Sequence, residues 1–274
     1  MRKSGIKQIH GLGVMKNIKD LRDKVQRAKN NPSELVNLLC KDFNVRQSEQ
    51  DRWLTFEDIN NEAKFEEEDI YDTYAVGGVD LSATTDLTCA TILIYRKSKK
   101  FVLQQYFIPQ ANLEYKIKDD KIPYDKWEKL GLVTLCEGAK VDYTQVTQWF
   151  IRMKDDYKIN TLWIGYDPWN SNYWIQEMDR CGFNAYEVRQ GVKTLSNPMK
   201  QLEADLIEKK VVYNNNPILK WCLVNTNVKR DENDNIRPVK GQKQRARIDG
   251  AVSLIIAYAV LYENINDYLS VQEE

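Results

Sequence analysis

The sequence predicts an α/β fold, a mixed sheet with helices on both faces, and three observations carry that expectation. Residues 75–108 hold three successive apolar, β-branched runs joined by short turns, the pattern of an antiparallel three-strand meander. Helix-like and strand-like segments then alternate from residue 132 to about residue 209. Near the chain's end, Ile248 to Tyr262 is apolar on nearly every side, as a helix is when it is covered all round.

Taken in order, Val14, Ile18, Leu21, Val25 and Ala28 recur at helical spacing, Asn30-Asn31-Pro32 ends that helix, and Ser33-Glu34 opens another. Residues 1–72 therefore read as a helical extension or linker, with a mixed stretch around Trp53 and Phe56 and the acidic run Glu66 to Asp69 as a solvated boundary. Residues 73–274 read as the main domain. Its meander strands are expected at Ala75 to Leu81, Thr88 to Tyr95 and Phe101 to Ile108, with Arg96 to Lys100 as a turn, and a fourth strand at Leu132 to Cys136. Val146, Phe150 and Met153 give Val141 to Tyr157 helical spacing. Thr161 to Tyr166 is a strand closing at Asp167-Pro168; a helix to about Arg180, a strand at Ala185 to Val188 and a helix from Pro198 to about Lys209 follow. Asp231 to Asn235 has the composition of a hairpin tip between Asn225 and Lys240.

Composition removes whole classes of function. With 42% apolar and 29% charged residues over 274 positions and a mean hydropathy of -0.59, the chain reads as globular. No apolar run reaches membrane-spanning length and no signal-peptide core follows Met1 to Gly5, so a cytoplasmic location is expected. Cys40, Cys89, Cys136, Cys181 and Cys222 lie at least forty residues apart, which leaves neither a paired zinc spacing nor a disulfide framework. His10 is the one histidine. Ser-His-Asp and Cys-His hydrolysis, HExxH proteolysis and histidine-metal nucleases would all depend on it, so carboxylates and a hard metal ion are the expected tools. Net charge is zero, yet residues 189–247 carry 13 basic against 6 acidic side chains. That stretch is a candidate polyanion-facing surface, although a solvated helix and hairpin face has the same composition.

Four aspartates stand apart by position. Asp80 ends the first strand in Gly77-Gly78-Val79-Asp80-Leu81-Ser82, where a charge among apolar neighbours needs hydrogen bonds or a metal. Asp86 follows in Thr84-Thr85-Asp86, Asp167 closes Trp163-Ile164-Gly165-Tyr166-Asp167-Pro168, and Asp249 opens the apolar helix in Arg247-Ile248-Asp249-Gly250-Ala251. Each has a purely structural explanation: Asp86 as a cap of its own turn, Asp167 as a cap of the next helix, Asp249 as a charge on a helix N-terminus. Jointly they describe a site, because ligands of open sheets gather at the carboxyl ends of strands and two of the four occupy such ends. Phosphodiester hydrolysis explains such a cluster without histidine, since two Mg²⁺ or Mn²⁺ ions about 3.5–4 Å apart activate water and stabilise the leaving oxygen.

These segments, with Arg189-Gln190-Gly191 and Leu195-Ser196-Asn197-Pro198-Met199-Lys200 between the last two, occur in the order seen in the nuclease domain of large terminase subunits of tailed bacteriophages, which residues 73–265 resemble. The resemblance implies an RNase H-like, RuvC-related fold and a two-metal endonuclease (Mg²⁺ or Mn²⁺) that cuts concatemeric double-stranded phage DNA during packaging in the infected host cell. It implies that Asp80, Asp167 and Asp249 form the catalytic metal-binding triad, with Asp86 an accessory carboxylate on the same ions. Arg189, Lys193, Lys240, Lys243, Arg245 and Arg247 are then candidate phosphate contacts. Residues 1–72 resemble the end of the terminase ATPase region, with Trp53 in the aligned part; the ATPase region, the small terminase subunit and the portal are implied partners. No G-x-x-x-x-G-K-[ST] loop is present, so no ATPase motif is expected in this chain, whether it is an excised domain or a naturally short product. Many relatives also carry a histidine before the position of Asn214-Asn215-Asn216-Pro217, absent here. Two alternatives stay open: a RuvC-like or RNase H-like nuclease for junctions or hybrids, and a non-catalytic DNA-binding or motor-assembly module.

Overall fold

The alternating runs of residues 73–109 pair as an antiparallel meander, β1 (Thr73–Asp80), β2 (Thr88–Arg96) and β3 (Lys99–Pro109). This is seen in a computed structural model that describes residues 52–82, 86–169, 171–241 and 246–272, with Asp23 and Gln26; the helices expected at 14–28 and after Ser33 lie outside the described residues. The strand β4 (Val133–Cys136) runs parallel to the end of β3. On the other side of the meander, β5 (Ile159–Tyr166) lies parallel to β1 and β6 (Ala185–Glu187) parallel to β5. The order is β4-β3-β2-β1-β5-β6, and β7 (Val211–Val212) pairs with the start of β3.

Strand alternation assigns the two faces. Val76, Cys89, Leu93, Val102, Tyr106 and Ile108 join one core, and Ala75, Val79, Ala90, Ile92, Ile94 and Phe107 the other.

Ahead of the sheet, the short helices α1 (Phe56–Ile59) and α2 (Glu67–Ile70) each begin with a capping box. The acidic run expected as a solvated boundary is thus the first turn of α2, exposed except for Ile70. Trp53, Leu54 and Ile59 enter the first core, and the Asn61 side chain donates to the carbonyls of Lys209 (3.1 Å) and Val211 (2.9 Å).

After β3 come α3 (Leu113–Asp120) and α4 (Tyr124–Lys129). The second core is covered by α5 (Thr144–Tyr157) and α6 (Asn172–Arg180), the first by α7 (Val192–Ile207), α8 (Pro217–Asn225) and α9 (Asp249–Glu263). Helices therefore lie on both faces of the sheet, as the sequence predicts. The hairpin β8 (Thr226–Arg230) and β9 (Ile236–Lys240) stands apart as its own two-stranded sheet, and α10 (Ile265–Ser270) follows α9. The hairpin tip is tied by Asp231 Oδ1, which accepts from the amides of Asn233 and Asn235, both at 2.9 Å. Among the described residues, no helix is long and apolar enough to cross a membrane.

Two helix starts differ from expectation: the helix expected from Val141 begins at Thr144, and the other shift is larger. The helix expected to start at Pro198 starts at Val192, with Pro198 inside it. A proline there removes one backbone bond and strains the preceding turn. Burial of Leu195, Met199, Leu202 and Leu206 along a single face offsets that loss.

The fit of α9 onto β1 depends on a missing side chain. A Cβ at Gly78 would lie 2.3 Å from the Ser253 carbonyl oxygen and 2.6 Å from the Ala257 amide nitrogen, both backbone atoms of α9. Gly78→Ala should therefore push α9 off the sheet and destabilise the protein by about 1–3 kcal/mol or more. Urea denaturation checks this; an unchanged midpoint would mean that α9 is not seated so closely.

Candidate functional site

The parallel pairing of β1 with β5 sets Gly78 opposite Gly165, so two residues further on Asp80 and Asp167 stand side by side at the carboxyl edge. Asp80 shares the face of Val76 and Gly78, the face that α9 covers. Asp249 is the first residue of α9, which brings a third carboxylate over the same edge.

A buried polar chain fixes that helix end. Ser253 Oγ donates to the Gly78 carbonyl (2.9 Å) and bonds Thr91 Oγ1 (2.6 Å). Gln104 Nε2 donates to the Gly250 carbonyl (2.8 Å) and to Thr91 Oγ1 (2.9 Å), and the Tyr106 hydroxyl donates to Gln104 Oε1 (2.5 Å). Buried hydrogen bonds of this kind resist displacement, because each would leave an unsatisfied group behind. Groups from all three meander strands thus hold the turn that carries Asp249.

Electrostatics ties the four aspartates together. Burial, followed by the charges of Asp249, Asp86 and Asp167, pushes the Asp80 carboxyl well above the ordinary range, against a lowering contribution from Lys240. Burial and the Asp86 charge push Asp249 up to about 6, opposed by Lys240 and Arg247. The Asp249 Oδ2 atom is buried and has no hydrogen-bond partner among the described residues. Burial alone would also raise Asp86, yet Lys240 at 2.6 Å and Arg247 at 2.7 Å outweigh it and hold that carboxyl below its ordinary value.

The geometry bears on each capping role in turn. Asp86 spends Oδ1 on Lys240 and Arg247; its amide is what bonds the turn, donating to Ser82 Oγ at 3.2 Å. Asp249 is not the N-cap of α9, a position that Ile248 holds, but an acidic residue inside its first turn. Asp167 Oδ1 accepts from the Trp169 amide (2.9 Å), so it closes the turn after β5. The four carboxylates share one edge, although among the described residues no group of three His, Cys, Asp or Glu side chains is already arranged as a metal shell.

The described basic candidates divide into three groups. Arg189 and Lys193 are exposed beyond β6, with Arg189 paired to Glu187 at 2.8 Å. Lys240 ends β9 and reaches Asp86. Arg247 turns inward: its side chain is 4% exposed and forks onto Asp120 through Nη2 (2.8 Å) and Nε (3.0 Å) while Nη1 holds Asp86. Lys243 and Arg245 lie outside the described residues.

Sequence reasoning missed Asp120, whose side chain is fully buried and which also accepts from the Tyr124 hydroxyl at 2.7 Å. It missed Gln104 and Tyr106 as well. Polar residues inside the strongly apolar β3 run were the available signal.

Comparison with known proteins bears on the whole chain. The family model described as "Terminase large subunit, endonuclease domain" matches residues 5–264. The large terminase subunit of Enterobacteria phage HK97 is 30% identical over 183 residues, 66% of this chain and 36% of that protein. A crystal structure of the HK97 large terminase superposes with a TM-score of 0.67 at 25% identity, covering 95% of this chain and 54% of that one. The large terminase nuclease of thermophilic phage G20c with bound magnesium superposes with a TM-score of 0.50 at 14% identity, covering 76% of this chain and 97% of that one. The chain thus spans about a third of the curated relative and about half of the solved HK97 chain. The fold is the RNase H-like mixed α/β fold of large terminase nucleases.

Proposed function

The chain belongs to the terminase large subunit endonuclease family, and from that premise we propose that it is a divalent-metal-dependent endonuclease cutting concatemeric double-stranded phage DNA during genome packaging. One observation carries the reading: Asp80, Asp167 and Asp249 stand at one sheet edge, and a buried oxygen of Asp249 has no hydrogen-bond partner among the described residues. Carboxylates crowded together with acceptor capacity to spare fit a hard divalent cation. Magnesium bound by the G20c nuclease points the same way.

Asp80, Asp167 and Asp249 would hold two Mg²⁺ or Mn²⁺ ions, with Asp86 at the margin of the set. When bound, they would supply an activated water and charge neutralisation at the leaving 3′ oxygen. The chain's own task is to keep those carboxylates together against their repulsion. The β1–β5 register and the polar anchoring of α9 do that, while Lys240 and Arg247 keep Asp86 ionised.

Arg189, Lys193, Lys240, Lys243 and Arg245 are proposed to meet the phosphates. Arg247 is assigned to the wall of the site, where it pairs buried carboxylates. Binding is then mainly electrostatic and nearly independent of sequence. Replacing Arg189 and Lys193 by alanine should weaken binding evenly across DNA sequences and reduce the slope of log affinity against log salt by about 1 for each phosphate no longer neutralised. Titrations over a salt series check this, and an unchanged slope removes both residues from the interface.

Residues 1–72 are proposed as the end of the ATPase region and its connection to the nuclease, which begins near residue 73. The ATPase region, the small terminase subunit and the portal are the proposed partners, in the host cytoplasm. The test of the whole reading is plasmid nicking with Mg²⁺ or Mn²⁺ in ATP-free buffer. Cleavage of plain duplex is expected; strict dependence on ATP, or cutting confined to junctions or hybrids, would overturn it.

A further inference from the structure

Two large aromatic side chains stand in water beside the carboxylate edge. Trp169 is 80% exposed and Tyr173 is 89% exposed, the most exposed large apolar side chains among the described residues. They lie two and six residues after Asp167, while Trp174, next to Tyr173, is buried against Tyr166. Two rings this exposed within five residues of one another, on the segment that follows a site carboxylate, are candidates for a binding contact.

The turn that presents Trp169 is not slack. The Trp169 amide donates to Asp167 Oδ1 (2.9 Å), and the buried Ser171 hydroxyl donates to the carbonyls of Asp167 and Trp169. The backbone that carries the ring is therefore tied to the Asp167 carboxylate. A chain advances at most about 3.6 Å per residue, so a phosphate reaching Asp167 comes within reach of a ring two residues away. Arg189, beyond the adjacent strand end, supplies a cation on the same side. Flat rings beside exposed cations suit nucleobases, which stack on aromatic faces whatever their sequence.

We propose that Trp169, supported by Tyr173, stacks on or wedges beside a nucleobase next to the scissile phosphate and so positions DNA in this site. The proposal rests on the DNA-cleaving function argued above.

The experiment uses the full chain and its Trp169→Ala, Trp169→Phe and Tyr173→Ala variants with duplex oligonucleotides carrying 2-aminopurine at successive positions, in Ca²⁺ to slow cutting. Stacking predicts a position-dependent fluorescence change that Trp169→Ala abolishes and Trp169→Phe largely keeps. It also predicts about a tenfold loss of affinity for Trp169→Ala with the salt slope unaltered, because no phosphate contact is removed. Both rings are solvent-exposed, so the variants fold. Should Trp169→Ala bind and cut like the parent with the same fluorescence change, the inference fails while the nuclease reading stands, and the rings belong to a protein contact. If the parent itself neither binds nor cuts DNA, both readings fall.

Discussion

Asp80→Asn and Asp249→Asn variants are expected to fold normally, lose cleavage by on the order of a hundredfold or more, and gain stability in metal-free buffer at neutral pH. Asparagine keeps the size and most hydrogen bonds of aspartate but lacks the charge a cation needs. The gain in stability follows from the raised carboxyls. Asp249 is pushed up to about 6 in the folded protein by burial and Asp86, and Asp80 is raised as well. An acid that binds its proton more tightly folded than unfolded penalises the ionised folded state. For Asp249 the contribution to stability is therefore greatest below the unfolded value of about 4, falls as pH rises from about 4 to about 6, and is flat above; for Asp80 it likewise falls as pH rises. For Asp249 alone the cost at pH 7 is on the order of 1–3 kcal/mol, which asparagine removes. Divalent cation should stabilise the parent by occupying the site, and the variants much less. Thermal melts in EDTA and in Mg²⁺ at about pH 5, inside that window, and at about pH 7.5, above it, test all of this beside plasmid nicking. Cleavage near the parent rate in saturating Mg²⁺ and Mn²⁺ would remove the residue from the metal set; an inactive variant that is also less stable in EDTA would make its carboxylate a structural acceptor.

How far the sequence reaches is clearest at these same residues. Asp80 and Asp167 stand out because a charge closing an apolar strand conflicts with its surroundings, and that conflict is visible without any structure. The meander and the α/β alternation are legible for a similar reason, since burial on one face or two leaves a period in the residue pattern. Where a segment is short and has no period, the reading stops. The helix α8 is buried on every side, and only the Asn216-Pro217 start, where Asn216 caps the amides of Ile218 and Leu219, marks it. Asp120 is a harder case. It ends a half-exposed helix next to Asp119, and nothing local distinguishes it from a surface acid; its partner, Arg247, is 127 residues away. A basic stretch looks alike whether a member faces DNA or a buried carboxylate, which is why Arg247 reads as a phosphate contact in the sequence and sits in the interior of the structure.

Arg247→Met should accordingly act on stability first, costing about 3–5 kcal/mol, because it strands two carboxylates that the guanidinium now serves. Among the described residues Asp120 would keep the Tyr124 hydroxyl and Asp86 would keep Lys240, without the guanidinium that joins them. Lysine should rescue part of the loss, since it restores the charge but not the fork that reaches Asp120 through two nitrogens. The double variant Arg247→Met with Asp120→Leu removes the buried pair altogether and should recover most of the stability. Cleavage should not recover with it, because Asp86 still lacks the cation that, with Lys240, holds it ionised at the edge of the site. The acid limb of stability carries the same signature. A carboxyl held below its ordinary value contributes stability above about pH 4 that is lost as pH falls through the lowered value, and Arg247→Met should shrink that contribution. Urea melts of the three variants from about pH 3 to about pH 7, with nicking assays alongside, separate a wall residue from a DNA contact. If Arg247→Met keeps the parent's midpoint and only flattens the salt dependence of DNA binding, the guanidinium faces phosphate after all and the buried network is not what holds Asp86 in place.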